Sequence, residues 1–163
     1  MSENQKMLII NYEKCVGCGF CETACSIQHG NLITPLNSMI SLVRLKKVGM
    51  NIPVVCQQCL NPLCVDACPT GALSRDIKTG AIVVDSDLCV GCKMCIIACP
   101  LGGITLNLES KCAVKCDLCG GDPLCAKVCG YEAVSYVTLD ELTVAMRKEA
   151  IKKLGEVMEK VVF

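Results

Sequence analysis

Sixteen of the seventeen cysteines in this 163-residue chain fall into four quartets with a repeating spacing. Cys15, Cys18, Cys21 and Cys25, in "KCVGCGFCETACS", are separated by two, two and three residues. Cys89, Cys92, Cys95 and Cys99 keep that spacing. Cys56, Cys59, Cys64 and Cys68 widen the middle gap to four residues, and Cys116, Cys119, Cys125 and Cys129 widen it to five. The neighbours repeat too: "KCVGCGFC" answers "LCVGCKMC", and Pro62-Leu63-Cys64 answers Pro123-Leu124-Cys125. A compact quartet followed by an expanded one thus occurs twice, the mark of an internal duplication.

Three chemistries compete for thiols at this density. Disulfides need an oxidising compartment, and the N-terminus "MSENQKMLIINYEKC" shows neither an apolar signal core nor a twin-arginine pair. No apolar run approaches the roughly 20 residues of a membrane span. A cytoplasmic location is therefore expected, where thiols stay reduced. Structural zinc sites use two short Cys knuckles separated by a longer loop; three close cysteines with a trailing fourth offer no such partition. The iron–sulfur pattern C-x₂-C-x₂-C-x₃-C-P fits instead: three thiolates wrap one cluster locally and the fourth ligates another. Cys99-Pro100 completes that run in the third quartet, and Cys68-Pro69 gives its ending in the second.

Composition agrees. Three Tyr, two Phe and no Trp leave few large aromatic side chains for a core, so inorganic clusters are expected to fill part of the interior. Sixteen basic and sixteen acidic side chains give a formal charge of zero, which does not recommend a nucleic-acid partner. Sixteen thiolates and four oxidised cubane cores would bring the loaded protein to about −8. Lys14, Lys93, Lys111, Lys115 and Lys127 flank the quartets; they either moderate that charge or, as is commoner, are ordinary solvated lysines. Gly17, Gly91, Gly102, Gly103, Gly120 and Gly121 either make turns or let the backbone approach the sulfurs closely.

The expected fold class is α+β. Met7–Tyr12 and Ala81–Asp85 read as short strands entering the compact quartets, with a hairpin turn at Lys78-Thr79-Gly80. Cys68–Leu73 and Cys99–Ile104 are expected to leave a short helix or turn and enter further strands. The segment 31–53 is the longest stretch without cysteine before the tail, and Met39–Leu45 within it reads as a strand that could line a partner. Thr138 and Glu141 form a capping box ahead of Leu142, Met146, Ile151, Leu154 and Met158 at near-helical spacing. This predicts a C-terminal amphipathic helix over 138–163, outside a cluster module over 1–137, whose apolar stripe either packs back or meets a partner.

The ordered set of quartets resembles the four-cluster iron–sulfur subunits of the dimethyl sulfoxide reductase and formate dehydrogenase type. "CDLCGGDPLC" and "CPLGGI" are similar to the short branch associated with CO dehydrogenase, hydrogenase and tungsten aldehyde oxidoreductases. The resemblance runs over about Leu8 to Val137. It implies nested bacterial-ferredoxin-like dicluster modules holding four [4Fe–4S] clusters. It also implies the ligand sets: Cys15, Cys18, Cys21 with Cys129; Cys116, Cys119, Cys125 with Cys25; Cys56, Cys59, Cys64 with Cys99; and Cys89, Cys92, Cys95 with Cys68. The outer pair then comes from 15–25 and 116–129, the inner pair from 56–68 and 89–99. One independent hint favours this nesting, since both inner quartets end in Cys-Pro and both outer ones do not. Gly130 stands where the family often has proline.

Function follows as an expectation. The sequence carries no nucleophile–base arrangement, dinucleotide fingerprint or phosphate loop, so the chain is expected to be a non-catalytic electron-transfer subunit. Its expected partners are a catalytic redox subunit (a tungsten or molybdenum oxidoreductase, CO dehydrogenase or hydrogenase) and a second electron carrier. A freestanding polyferredoxin and a zinc-stapled structural module are the alternatives. Cys112 belongs to no quartet and is expected to be a shielded free thiol. His29, the single histidine, is expected to be a loop residue or a contact near the first cluster.

Overall fold

The computed structural model describes residues 6–30, 38–107 and 109–161. Its strands run three to six residues, and most are bounded on one side by a cysteine loop. Among the described residues they form four two-stranded antiparallel sheets. β1 (Lys6–Ile10) pairs with β8 (Val134–Thr138), joining the two ends of the cysteine-bearing chain. β2 (Ile40–Leu45) and β3 (Met50–Val55) form the longest hairpin. β4 (Leu73–Arg75) pairs with β5 (Ile82–Val84), and β6 (Ile104–Leu106) with β7 (Ala113–Lys115).

The two strands expected before the compact quartets are present but shorter. β1 stops at Ile10 because Asn11 caps a 3₁₀ turn over Tyr12–Lys14, its side-chain oxygen accepting the Glu13 N–H at 3.1 Å. The β4–β5 hairpin turns at Asp76–Gly80, where Asp76 Oδ2 accepts from the Thr79 N–H at 2.9 Å and the Thr79 hydroxyl at 2.6 Å.

Each quartet contains a helix. α1 (Phe20–Gly30) carries Cys21 and Cys25, while α2 (Leu63–Asp66), α3 (Met94–Ala98) and α4 (Leu124–Lys127) each carry the third cysteine of a quartet. α1 packs on α4, and α2 on α3. Elements of the first and last quartets thus meet, as do those of the second and third.

The interior divides the same way. One core cluster gathers Leu8, Ile40, Val55 and Leu118 around Cys21, Cys25, Cys56, Cys116 and Cys125. The other gathers Leu73, Ile82, Ile104 and Ala113 around Cys95, with Cys64, Cys68, Cys89 and Cys99 packed against it. Cysteines occupy the positions that aromatic side chains fill in ordinary cores.

α5 (Leu139–Val161) is the C-terminal helix. Its capping box is closed: the Thr138 N–H donates to Glu141 Oε2 at 2.8 Å, and the Glu141 N–H donates to Thr138 Oγ1 at 3.3 Å. The helix touches β8, and Lys153 pairs with Glu13 at 3.2 Å. Most of its apolar stripe does not pack back, since Met146 is 62% and Ile151 70% exposed. Among the described residues no helix is long and apolar enough to cross a membrane.

Candidate metal centre

All seventeen cysteines are free thiols, and the fold collects them in mixed sets. Cys15, Cys18 and Cys21 line one apolar pocket together with Cys129, delivered from the end of the last quartet. Cys116, Cys119 and Cys125 line a second with Cys25, closed by Met39, Ile40 and Val55. Cys56, Cys59 and Cys64 line a third with Cys99, beside Ile82 and Ile104. Cys68, Cys89 and Cys95 share the second core cluster, whereas Cys92 is exposed.

The local backbone explains how three thiols of one quartet turn toward a common point. Gly17 at φ +76° and Gly91 at φ +66° occupy the left-handed region between the first two cysteines of the compact quartets, where a side chain would be strained. Gln58 and Leu118 hold the corresponding place in the expanded quartets at φ +49° and +59°. Close approach is to backbone rather than to sulfur: a Cβ added at Gly103 would lie 2.7 Å from Cys56 Cα, and one at Gly91 would lie against the Lys111 carbonyl oxygen. Gly102 and Gly120 are turn glycines with open space around them.

Hydrogen bonds reach several sulfurs. The Met39 N–H donates to Cys25 Sγ at 3.2 Å and the Ala113 N–H to Cys89 Sγ at 3.4 Å. Burial opposes ionisation of Cys68, but the Thr70 hydroxyl and the backbone N–H groups of Thr70, Ala72 and Leu73 outweigh it, and its thiol lies below the ordinary value.

Elsewhere desolvation wins. Burial pushes Cys21 up to about 11 and Cys116 and Cys125 up to about 12. Cys125 is raised further by Cys116, Cys25, Cys119 and Cys21. Burial also raises Cys64, against the opposing charge of Lys115. Converging thiols in dry pockets become thiolates together only when a cation among them compensates the charge. This donor set, all sulfur with amide donors at its edges, fits iron–sulfur cores.

Other predicted residues fall differently. Cys112 is half-buried, its S–H directed at the carbonyls of Ser110 at 3.5 Å and Ser86 at 3.7 Å. His29 is in the last turn of α1 rather than a loop, and it lies by the second pocket rather than the first. Its Nε2 stands 3.6 Å from both Cys119 Sγ and Asp117 Oδ1. That contact links residues far apart in sequence, so no spacing could show it. Lys14 and Lys127 are exposed and paired with Glu132 and Asp122. Lys115 is the correction: it is 3% exposed, not solvated.

A family model for the 4Fe-4S dicluster domain matches residues 48–139, and one for a 4Fe-4S binding domain matches residues 8–26. The chain belongs to the 4Fe-4S dicluster family. It is an iron–sulfur electron-transfer protein of ferredoxin type. It is 42% identical over 134 residues to the polyferredoxin-like subunit of aliphatic sulfonate oxidoreductase from Pyrococcus furiosus, covering 80% of this chain and 77% of the relative. It is 31% identical over 160 residues to electron transport protein HydN of Escherichia coli K12, covering 84% and 90%. It is 35% identical over 127 residues to the beta subunit of NADH-dependent phenylglyoxylate dehydrogenase of Aromatoleum evansii, covering 77% of this chain and 28% of that longer one.

Proposed function

We propose that the chain holds four [4Fe–4S] clusters and conducts electrons between a catalytic redox subunit and a second carrier. The observation that carries this reading is the mixed lining of three pockets: each combines three cysteines of one quartet with the last cysteine of another. The ligand sets are those named above, with Cys68, Cys89, Cys92 and Cys95 as the fourth. This division makes residues 1–137 a polyferredoxin module of the type beside dimethyl sulfoxide reductase and formate dehydrogenase, and 138–163 an appended segment that carries α5. When bound, each cluster takes up and releases one electron.

The residues also support an order. Cys21, Cys116, Cys125 and Cys56 share one core cluster, which joins the first site to the second and the second to the third. Cys64 and Cys99 share a core with Cys68, Cys89 and Cys95, joining the third to the fourth. The chain's own work is to hold thiolates at successive short separations, donate amide hydrogens to them and keep water out.

Two relatives are named as subunits of oxidoreductases, which supports a catalytic partner; a cytoplasmic location for both is part of this proposal. Cys18, Cys59 and Cys92 are exposed, and exposed Val16, Phe20, Leu60, Leu63, Val90 and Ile97 stand near them in sequence. Exposed apolar residues of this kind suit a covering subunit that approaches one of these cysteines closely.

The test is elemental analysis of the protein isolated anaerobically with its companions. About sixteen irons per chain with a stoichiometric second metal supports a wiring subunit and names the partner's class. Zinc at about four per chain would overturn the reading.

A further inference from the structure

The most unusual charged group in the molecule is Lys115, buried to 3% exposure at the end of β7. Its Nζ donates to three acceptors: the carbonyl of Ile82, the carbonyl of Cys116 at 3.0 Å, and Gln58 Oε1 at 3.3 Å. The Gln58 amide is fixed in orientation, because its Nε2 donates to Cys116 O at 2.6 Å and its Oε1 accepts the Ile82 N–H at 2.7 Å. Three acceptors around one nitrogen satisfy the three N–H donors of an ammonium, whereas a neutral amine would turn its lone pair on one of them.

A buried ammonium needs a counter-charge. The salt bridges among the described residues involve Lys14, His29, Lys127 and Lys153, and none of them involves Lys115. What does surround it is the junction of two thiol pockets. Ile82 lines the pocket of Cys56, Cys59, Cys64 and Cys99, and Cys116 lines the pocket of Cys25, Cys119 and Cys125.

We infer that Lys115 is an internal counter-cation between the outer and inner halves, which raises the reduction potentials of the two clusters flanking it and so favours electron passage across the junction. This rests on the four-cluster reading above. Each reduction moves one electron onto a flanking site from its neighbouring carrier, which loses the same electron. The added negative charge is stabilised by the fixed ammonium, with no proton required. Lys115 is thus a positioning residue, and the clusters of Cys15, Cys18, Cys21 and Cys129 and of Cys68, Cys89, Cys92 and Cys95 lie one site further away on either side.

The experiment is a redox titration followed by electron paramagnetic resonance on the full chain, with Lys115→Met, Lys115→Gln and Lys115→Arg beside the parent. Two of the four potentials should fall in the Met and Gln variants, the other two should stay, and Arg should restore the parent values. Unchanged potentials at full iron content would overturn the inference while leaving the four-cluster reading intact. An equal shift at all four sites would overturn it too. Failure of both neutral variants to take up iron would place Lys115 in assembly instead, again against the inference. Fewer than four clusters in the parent would sink the underlying reading, and this one with it.

Discussion

Gly103 lies so close against Cys56 that a β-carbon added to it would stand 2.7 Å from Cys56 Cα and 2.9 Å from its backbone nitrogen. The contact is with backbone, so no side chain can swing away to relieve it. It ties the turn after Cys99 to the first cysteine of the second quartet, two segments that line the same pocket.

Gly103→Ala should therefore cost about 1–3 kcal/mol as an overpacking substitution. It should also displace Cys56 and loosen the pocket that Cys56 shares with Cys99. Thermal unfolding and the rate of iron loss to a chelator would measure this. Gly102→Ala is the informative control. Its position has open space but φ +64°, so it should cost backbone strain without moving Cys56. Equal iron retention in the Gly103 variant and the parent would refute the close-approach account.

The seventeenth cysteine provides a sharper contrast. Cys99 lines the third pocket, whereas Cys112 points its thiol at the carbonyls of Ser86, Cys89 and Ser110. On the proposed ligand sets, Cys99→Ala should lower iron by about four atoms from about sixteen, and Cys112→Ala should leave it unchanged. Iron and acid-labile sulfide assays on both variants decide. An iron-poor Cys112 variant would move that residue into the ligand set.

These two cases show what sequence could convey. Quartet spacing is local, so the cysteine loops and the appended helix were legible from nearest neighbours, whereas the short helices fall around the third cysteines rather than beyond the fourth. The turn at Asp76–Gly80 was legible for the same reason, since Lys78-Thr79-Gly80 is turn chemistry by itself. Pairing of β1 with β8 was not, because nothing in Met7–Tyr12 names a partner more than 120 residues away. For Lys115 the solvated reading failed, because a lysine beside a cysteine is ordinarily exposed and this one is buried. Its burial depends on Gln58 and Ile82, two residues of unremarkable type that the fold brings to its nitrogen. His29 escaped for a related reason, since Cys119 and Asp117 reach it only after α1 and α4 pack together.

The capping box makes α5 sensitive to acid. Hydrogen bonds from the Thr138 N–H and hydroxyl hold the Glu141 carboxyl below its ordinary value of 4.5. A depressed carboxyl contributes its stability fully above the unfolded value and loses it as pH falls through the lower, folded one. Helicity of the parent should hold from neutral pH down to about 4.5 and decline below it. Thr138→Ala should show lower helicity already at neutral pH and a shallower acid response. Far-UV circular dichroism of the two proteins, with iron content followed in parallel, checks this. Identical acid profiles would remove the box as the cause.

Metal removal should have the largest effect. Both core clusters are built around thiols, and no Trp is present to take their place. Without a cation in the pockets, Cys21, Cys116 and Cys125 are held protonated by burial, leaving them as small apolar groups lining voids. The sheets cannot compensate, because each has only two strands and such a pair is marginal in water. Anaerobic stripping of iron should therefore abolish most secondary structure rather than leave an empty scaffold, as metal-linked folding requires. Circular dichroism and amide chemical-shift dispersion before and after stripping would report it. A cooperative thermal transition in the stripped protein would show that packing alone holds the fold.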